Sequence, residues 1–215
     1  MPTLSKRLEV IYSELLPAKT FADVGCDHGY IAEAMLFSGK CERVIISDIS
    51  KSSLKKAEDL LKEKYGERVV SVVADGFDGL PYFDEALIAG MGGEEIVKIV
   101  SGAKFLPETL AVQPMKNADK VRKVLIKSGY KLIKDYIFKA EGKFYEFVLA
   151  VKGEEERPYS DLEIAYGRGN LAYKSEDFKE YISIKRSVLL GATKGVSKEK
   201  AEEIQRKIKE LDGII

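Results

Sequence analysis

The chain holds only two cysteines, Cys26 and Cys41, and a single histidine, His28. The cysteines form no C-x-x-C pair and no ligand cluster with the histidine, so neither a disulfide framework nor a metal site is expected. No apolar run approaches the roughly 20 residues that cross a bilayer. The opening residues MPTLSKRLEVIYSELL lack the order of charged region, apolar block and small-residue cleavage site that marks an export signal. A cytoplasmic protein without membrane contact is therefore expected. Formal net charge is zero, so the chain lacks the global excess of an obligate nucleic-acid binder. No internal repeat or low-complexity tract is present, and nothing suggests an obligate protein partner.

What is present suits a globular enzyme. With 215 residues, 45% of them hydrophobic, the chain can bury a substantial core, and its length fits one catalytic domain plus an appendage. The charge is uneven: residues 1–112 carry 13 Lys/Arg against 18 Asp/Glu, whereas 113–153 carry 10 Lys/Arg, Arg122 among them, against 4 acids. Such a stretch is first of all a solvated helix face; it is also compatible with contact to a nucleic acid.

Leu4, Leu8, Ile11 and Leu15 recur at helical spacing after Thr3 or Ser5, which predicts a short amphipathic helix ending at Pro17. Strands are then predicted over 20–24, 43–47, 69–74, 85–89 and 109–113, and helices over 29–38, 51–64, 93–102 and 117–128. Alternating strands and helices give an open, doubly wound parallel α/β sheet of Rossmann-like type, with right-handed crossovers. Beyond Gly129, two longer runs separated by Glu141-Gly142 read as an antiparallel hairpin. The acidic turn Glu154-Glu155-Glu156 and Pro158 mark a boundary, dividing the chain into 1–156 and 157–215. In the second part, Gly167-Arg168-Gly169-Asn170 reads as a loop. Residues 176–192 and 197–211 read as a helical hairpin turning at Thr193-Lys194-Gly195, its helices antiparallel and the second capped by Ser197.

The chemistry gathers at the predicted strand ends. The first strand runs through Asp23-Val24-Gly25-Cys26-Asp27-His28-Gly29-Tyr30 straight into a helix, and glycine there lets a ligand approach the backbone. Asp27 stands where a dinucleotide fingerprint has its second glycine, and a carboxylate beside a pyrophosphate is repulsive. This weakens a dehydrogenase reading. S-adenosyl-L-methionine has no phosphate, and it offers a sulfonium and an amino group that Asp23 and Asp27 suit. Asp48 ends the second strand at the separation from Gly25, roughly 20 residues, at which an acid takes the ribose hydroxyls of adenosine. Asp75-Gly76 follows the third strand, where an acid can accept from the adenine amine. Alone, a strand-end Asp is more often a turn former; three in register indicate a nucleoside site. Gly90-Met91-Gly92-Gly93 reads as a tight turn that leaves room for a flat base. The D/N-P-P-Y/F/W motif of amino-group methylases is absent. A ring nitrogen such as adenine N1 needs little activation, so positioning would dominate catalysis.

LSKRL near the start, DVGCDHGY, IAGMGG, the Gln113-Pro114 pair followed by Asn117, and EGKFYE in the hairpin together resemble the TrmK family of bacterial tRNA (adenine(22)-N1)-methyltransferases. The family pattern has Asn directly after the Pro, whereas here Met115 and Lys116 come between Pro114 and Asn117. The resemblance implies a class I methyltransferase sheet of strand order 3-2-1-4-5-7-6, S-adenosylmethionine as cofactor and tRNA as substrate. It implies a cofactor pocket lined by Asp23, Gly25, Asp27, Asp48, Ile49, Asp75, Gly76, Gly90 and Met91. Asp27 and His28 are the candidate catalytic groups, and Arg7, Tyr30, Gln113, Asn117 and Tyr145 the candidate substrate contacts. Methylation of another RNA site or a small molecule by the same fold stays open, as does a non-catalytic RNA-binding module.

Overall fold

The computed structural model describes residues 2–193 and 197–215. Among the described residues, seven strands form one sheet of order β3-β2-β1-β4-β5-β7-β6. They are β1 (Ala18–Val24), β2 (Cys41–Asp48), β3 (Val69–Val73), β4 (Glu85–Met91), β5 (Thr109–Pro114), β6 (Tyr130–Ala140) and β7 (Lys143–Lys152). The first five are parallel, and at the far side β7 runs antiparallel to both of its neighbours, β5 and β6. Glu141 and Gly142 both take positive φ, +49° and +74°. A two-residue type I′ hairpin requires that of both its central residues.

Strand alternation divides the core. Phe21, Val44, Ile46 and Leu87 point to a face covered by α1 (Lys6–Glu14), α2 (Tyr30–Phe37) and α3 (Lys51–Tyr65). Ala22, Val24, Ile45 and Ile88 point to the opposite face, under α4 (Gly93–Gly102) and α5 (Ala118–Lys127). Ser5 caps α1 by accepting from the Leu8 N–H, and Leu4, Ile11 and Leu15 supply the buried stripe. The end of α1 is tied down near the opposite end of the sheet. Lys40 Nζ donates to the Tyr12 and Leu15 carbonyls at 3.0 and 2.8 Å, and Leu16 N–H donates to buried Glu85 at 3.1 Å. Helix α1 is thereby held across the sheet with its N-terminal turn at the carboxyl ends of the strands.

The segment expected as a loop at 167–170 is instead the junction of two short helices, α6 (Asp161–Tyr166) and α7 (Arg168–Tyr173). Neither is long enough to show a helical period in sequence. Their glycines serve close approach: a Cβ on Gly169 would stand 2.4 Å from the Asp135 carbonyl oxygen. Because α7 lies directly on β6, Asn170 reaches the edge and accepts from the Ile137 N–H at 2.8 Å. Glu155 and Asp177 likewise accept from the Leu132 and Lys139 N–H groups, at 2.6 and 2.8 Å. Side chains from beyond β7 thus occupy edge donors that would otherwise invite another strand.

Helices α8 (Glu176–Gly191) and α9 (Lys198–Asp212) pack antiparallel, with Phe178 and Ile182 near the start of one against Leu211 and Ile214 at the end of the other. Ser197 caps α9 by accepting from Lys200 N–H. Of the expected connecting turn, Lys194 and Gly195 lie outside the described residues.

The basic stretch also changes meaning in three dimensions. Arg122, on α5, is fully buried, its guanidinium bonded to Asp135 on β6 and Glu146 on β7 and donating to the Ile164 carbonyl of α6. Lys120, Lys131, Lys134 and Lys139 pair with Glu94, Glu156, Glu14 and Glu180. Much of the local excess is therefore neutralised by acids from elsewhere. Replacing Arg122 by Met leaves buried Asp135 and half-buried Glu146 without their cation, so Arg122→Met should cost about 3–5 kcal/mol, lowering the melting temperature on the order of 10 °C. Adding Asp135→Asn and Glu146→Gln should recover part of the loss; thermal unfolding followed by circular dichroism measures both.

Candidate active site

A cleft of about 730 Å³ opens at the carboxyl ends of the strands, beside β1. The order of winding reverses at this strand, which is where doubly wound sheets bind ligands. Asp23, on β1, projects to the face that α1 and α2 cover and is buried. Burial pushes its carboxyl group up to about 7, opposed by a hydrogen bond with the Ala32 backbone and reinforced by the negative charge of Asp48. Asp48 ends β2, and its Oδ1 accepts from the Ser50 N–H at 2.7 Å as the chain enters α3. That turn sets the direction of the carboxylate; among the described residues, Oδ2 has no hydrogen-bond partner. Asp75, just beyond β3, is solvent-facing and accepts from Lys98 Nζ of α4 at 2.7 Å.

The loop from Gly25 to Gly29 is pinned to β2, since Gly25 N–H and Cys26 N–H both donate to the Ser47 carbonyl, at 2.8 and 3.0 Å. Gly25 has φ +72°, and a Cβ there would meet Met91 Cε at 2.2 Å. The positive φ favours glycine, and its missing side chain leaves room for the Met91 thioether methyl at the cleft floor. Asp27 and His28 stand at the mouth, with His28 Nδ1 2.7 Å from Asp27 Oδ2. The imidazole stacks on Tyr30, ring centres 5.4 Å apart and planes 5° from parallel. The Cys26 thiol is driven upward by burial and by Asp23, Asp48 and Asp27, so it is no nucleophile at neutral pH. On the opposite wall, β4 continues past its expected end at Ala89 to Met91. A register shift between Ala89 and Met91 accommodates Gly90 at φ +80°. Gly90 is thus part of an irregular strand end rather than of a turn.

All nine expected cofactor residues, Asp23, Gly25, Asp27, Asp48, Ile49, Asp75, Gly76, Gly90 and Met91, line this one cleft, together with His28, Arg7 and Tyr30. Three expected substrate contacts stand elsewhere. Gln113 is fully buried at the end of β5, where its Oε1 accepts from Arg7 Nη1 at 3.1 Å. Tyr145 is also buried, beneath the Arg7 guanidinium, which lies 5.6 Å from its ring centre. Asn117 occupies the left-handed N-cap position of α5 and donates to Glu94 at 2.6 Å, in a separate groove shared with Glu146, Tyr181 and Lys185. The cleft wall also includes Thr3, Ser5 and Glu95, which the sequence reading did not single out. For Glu95 the signal was the bias of acids into the first turn of α4. For Thr3 and Ser5 it was their place just before α1.

A doubly wound sheet closed by an antiparallel pair, with carboxylates at three successive strand ends around a glycine loop, defines a class I methyltransferase. A family model described as a methyltransferase domain matches residues 4–148. The tRNA (adenine(22)-N(1))-methyltransferase of Bacillus subtilis (strain 168) is 31% identical over 172 residues, which cover 76% of this chain and 71% of that protein. The solved structure of B. subtilis TrmK aligns with TM-score 0.88 at 23% identity, covering 99% of each chain. That of M. capricolum TrmK in complex with S-adenosyl-homocysteine aligns with TM-score 0.88 at 18% identity, covering 100% of each. The chain belongs to the methyltransferase-domain family and, within it, to the TrmK family. None of its described helices is long and apolar enough to cross a membrane.

The elevated Asp23 carboxyl group has a stability consequence. Between the ordinary value of 3.8 and about 7, the folded protein holds a proton that the unfolded chain has lost, so stability falls as pH rises through this window. Asp23→Asn removes the loss. Without ligand, the variant should melt several degrees higher than the parent at about pH 8 and no higher at about pH 4. Differential scanning calorimetry across that range checks the slope.

Proposed function

We propose that the protein is a cytoplasmic enzyme that transfers the methyl group of S-adenosylmethionine to N1 of adenosine 22 in tRNA. The observation that carries this reading is the 31% identity to a tRNA (adenine(22)-N(1))-methyltransferase, which extends across 76% of the chain. The cleft supplies a donor set that suits the cofactor. Asp48 offers a carboxylate to vicinal ribose hydroxyls, Asp75 offers one to the adenine amine, and Asp23 is matched to an ammonium group. Gly25 leaves room for Met91, and Ile49 and Met91 offer apolar contact to a flat ring. Asp27 disfavours a pyrophosphate in the same loop.

When bound, S-adenosylmethionine supplies a methyl group made electrophilic by its sulfonium. Adenine N1 attacks with an in-plane lone pair, so the protein's task is positioning and stabilisation of the positive charge that develops on the base. The target base must leave its stack to reach a cleft, and its flat face suits the stacked His28 and Tyr30 rings at the mouth. Asp27 holds the His28 ring through Nδ1, which fixes the orientation of this stacking surface. The Asp27 carboxylate also opposes the charge of a methylated, cationic adenine.

Incubating the protein with S-adenosylmethionine and unmodified tRNA, then digesting and analysing the nucleosides by mass spectrometry, should yield N1-methyladenosine. A transcript with guanosine at position 22 should yield none. Product at another position would replace the site while keeping the reaction, and absence of tRNA methylation by a cofactor-binding preparation would overturn the substrate. Asp48→Ala should weaken cofactor binding by about 1–3 kcal/mol, whereas Asp27→Ala should lower kcat more than cofactor affinity. Because Asp23 must give up its proton to meet an ammonium group, cofactor affinity should fall about tenfold per pH unit below its apparent value of about 7 and level off above it. Calorimetric titrations in buffers of different ionisation enthalpy should show one proton released per cofactor bound under acidic conditions.

A further inference from the structure

Beyond β5, along the same carboxyl edge of the sheet as the cleft, lies a second recess of about 400 Å³. One wall is the turn that follows β5, with Met115 and Lys116; the other is Phe144, at the start of β7, with Tyr181 and Lys185 of α8. The first wall adjoins the cleft. Met115 N–H donates to the carbonyl of Met91, a cleft residue, at 2.8 Å, and Gly93 N–H donates to the Lys116 carbonyl at 3.0 Å. From β4 to β7 is two strand spacings, about 10 Å, which the next nucleotide of an unstacked strand can span. Between the walls stands half-buried Glu146. Arg122 Nη2 donates to its Oε2, and among the described residues Oε1 has no hydrogen-bond partner. Burial pushes this carboxyl group above its ordinary value, against the pull of Arg122 and Lys185, so the charged form gains from a further donor. The aromatic wall is fixed by contact: the Phe144 and Tyr181 ring centres are 5.6 Å apart, and Lys185 Nζ lies 4.9 Å from the Tyr181 ring centre. At the rim, Lys116 and Lys185 are exposed, with no acid at ion-pair distance among the described residues. Asp119, the other acid in the lining, sits in the first turn of α5 under the charge of Lys120.

We infer that this recess holds the nucleotide next to the target adenosine: Glu146 accepts from an exocyclic amine of its base, and Lys116 and Lys185 receive its phosphate. This rests on the reading of the protein as a tRNA methyltransferase. Asp48 and Asp75 set the cofactor's nucleoside over β2 and β3, so the acceptor base comes in from the side of β4, and the strand that carries it continues past β5. An acceptor at the bottom, apolar walls at mid-height and cations at the rim match the amine, flat ring and phosphate of a nucleotide in that order. An acidic peptide is opposed by Glu146, and a basic one by the two lysines. Arg122, which holds Oε2, orients the free oxygen of Glu146 and is a positioning residue for it.

Steady-state methylation of tRNA transcripts tests both halves of the inference. With each neighbour of the target varied in turn, the parent protein should show at one of them a kcat/KM about tenfold higher for an amino-bearing base than for uridine. In Glu146→Gln the amide oxygen can stay on Arg122, which turns the free acceptor into an N–H donor, so the variant should lose that preference or reverse it towards the uridine carbonyl. Combining Lys116→Ser with Lys185→Ser should raise KM for tRNA on the order of tenfold and flatten its salt dependence by about one unit of slope or more. Combining Lys19→Ser with Arg43→Ser, at the amino ends of β1 and β2, makes the same change in charge and should do neither. Unaltered calorimetric affinity for S-adenosylmethionine reports that each variant is folded. A parental preference in Glu146→Gln, or equal effects of the two double variants, would overturn the inference while leaving the enzyme's reaction in place. A parent that binds S-adenosylmethionine and methylates no transcript would overturn the tRNA reading itself.

Discussion

The cleft exists because the chain turns its winding around at β1. Crossovers of one hand place α2 and α3 on one face while the sheet grows from β1 to β3. When the chain returns to the other side of β1 and grows through β4 and β5, the same handedness places α4 and α5 on the opposite face. No helix can then cover the carboxyl ends of β1 and β4 from both sides, and the gap between the two sets of loops becomes the site. Every candidate cofactor residue is a consequence: Asp23, Gly25, Asp48, Asp75 and Gly90 come from four strand ends and meet only because those ends share an edge.

Two buried charged positions are treated in opposite ways. Arg122 is enclosed by Asp135, Glu146 and a backbone carbonyl, so its desolvation is offset by full pairing, and it joins α5 and the hairpin to α6. Asp23 has no cation at hand among the described residues, and its surroundings raise its carboxyl group to about 7. A buried carboxylate short of partners beside a cavity is a destabilised group that a nearby cation would stabilise. The first arrangement serves the fold, and the second leaves a buried carboxyl group without a cation beside the cleft.

Helix α1 connects these themes. Its C-terminal end is fastened by Lys40 and Glu85 near the opposite end of the sheet, and its N-terminal turn delivers Arg7 to the cleft. Gln113 and Tyr145, read from the sequence as contacts to substrate, became supports for Arg7 once β5 and β7 were placed side by side beneath the helix. Asn117 was likewise drawn away, captured by Glu94 at the head of α4.

Local patterns were enough for much of this. The alternation of strand and helix, the Glu141-Gly142 hairpin, a helix start after Thr3 or Ser5 and the three strand-end acids are each written in short windows, because period, turn chemistry and capping act between near neighbours. The strand order 3-2-1-4-5-7-6 was anticipated through family resemblance, not periodicity. The two short helices at 161–173 escaped notice because neither completes two turns, and their glycines answer to Asp135, far upstream in the chain. The basic stretch at 113–153 looked like a surface charge until Glu14, Glu94, Glu156 and Glu180 arrived from other elements to pair with it. Which residues carry chemical potential is a property of side-chain type and local spacing, and the sequence states it. Which of them face a ligand and which face one another depends on contacts such as Arg7 with Gln113, 106 residues apart, and only the packed sheet settles that.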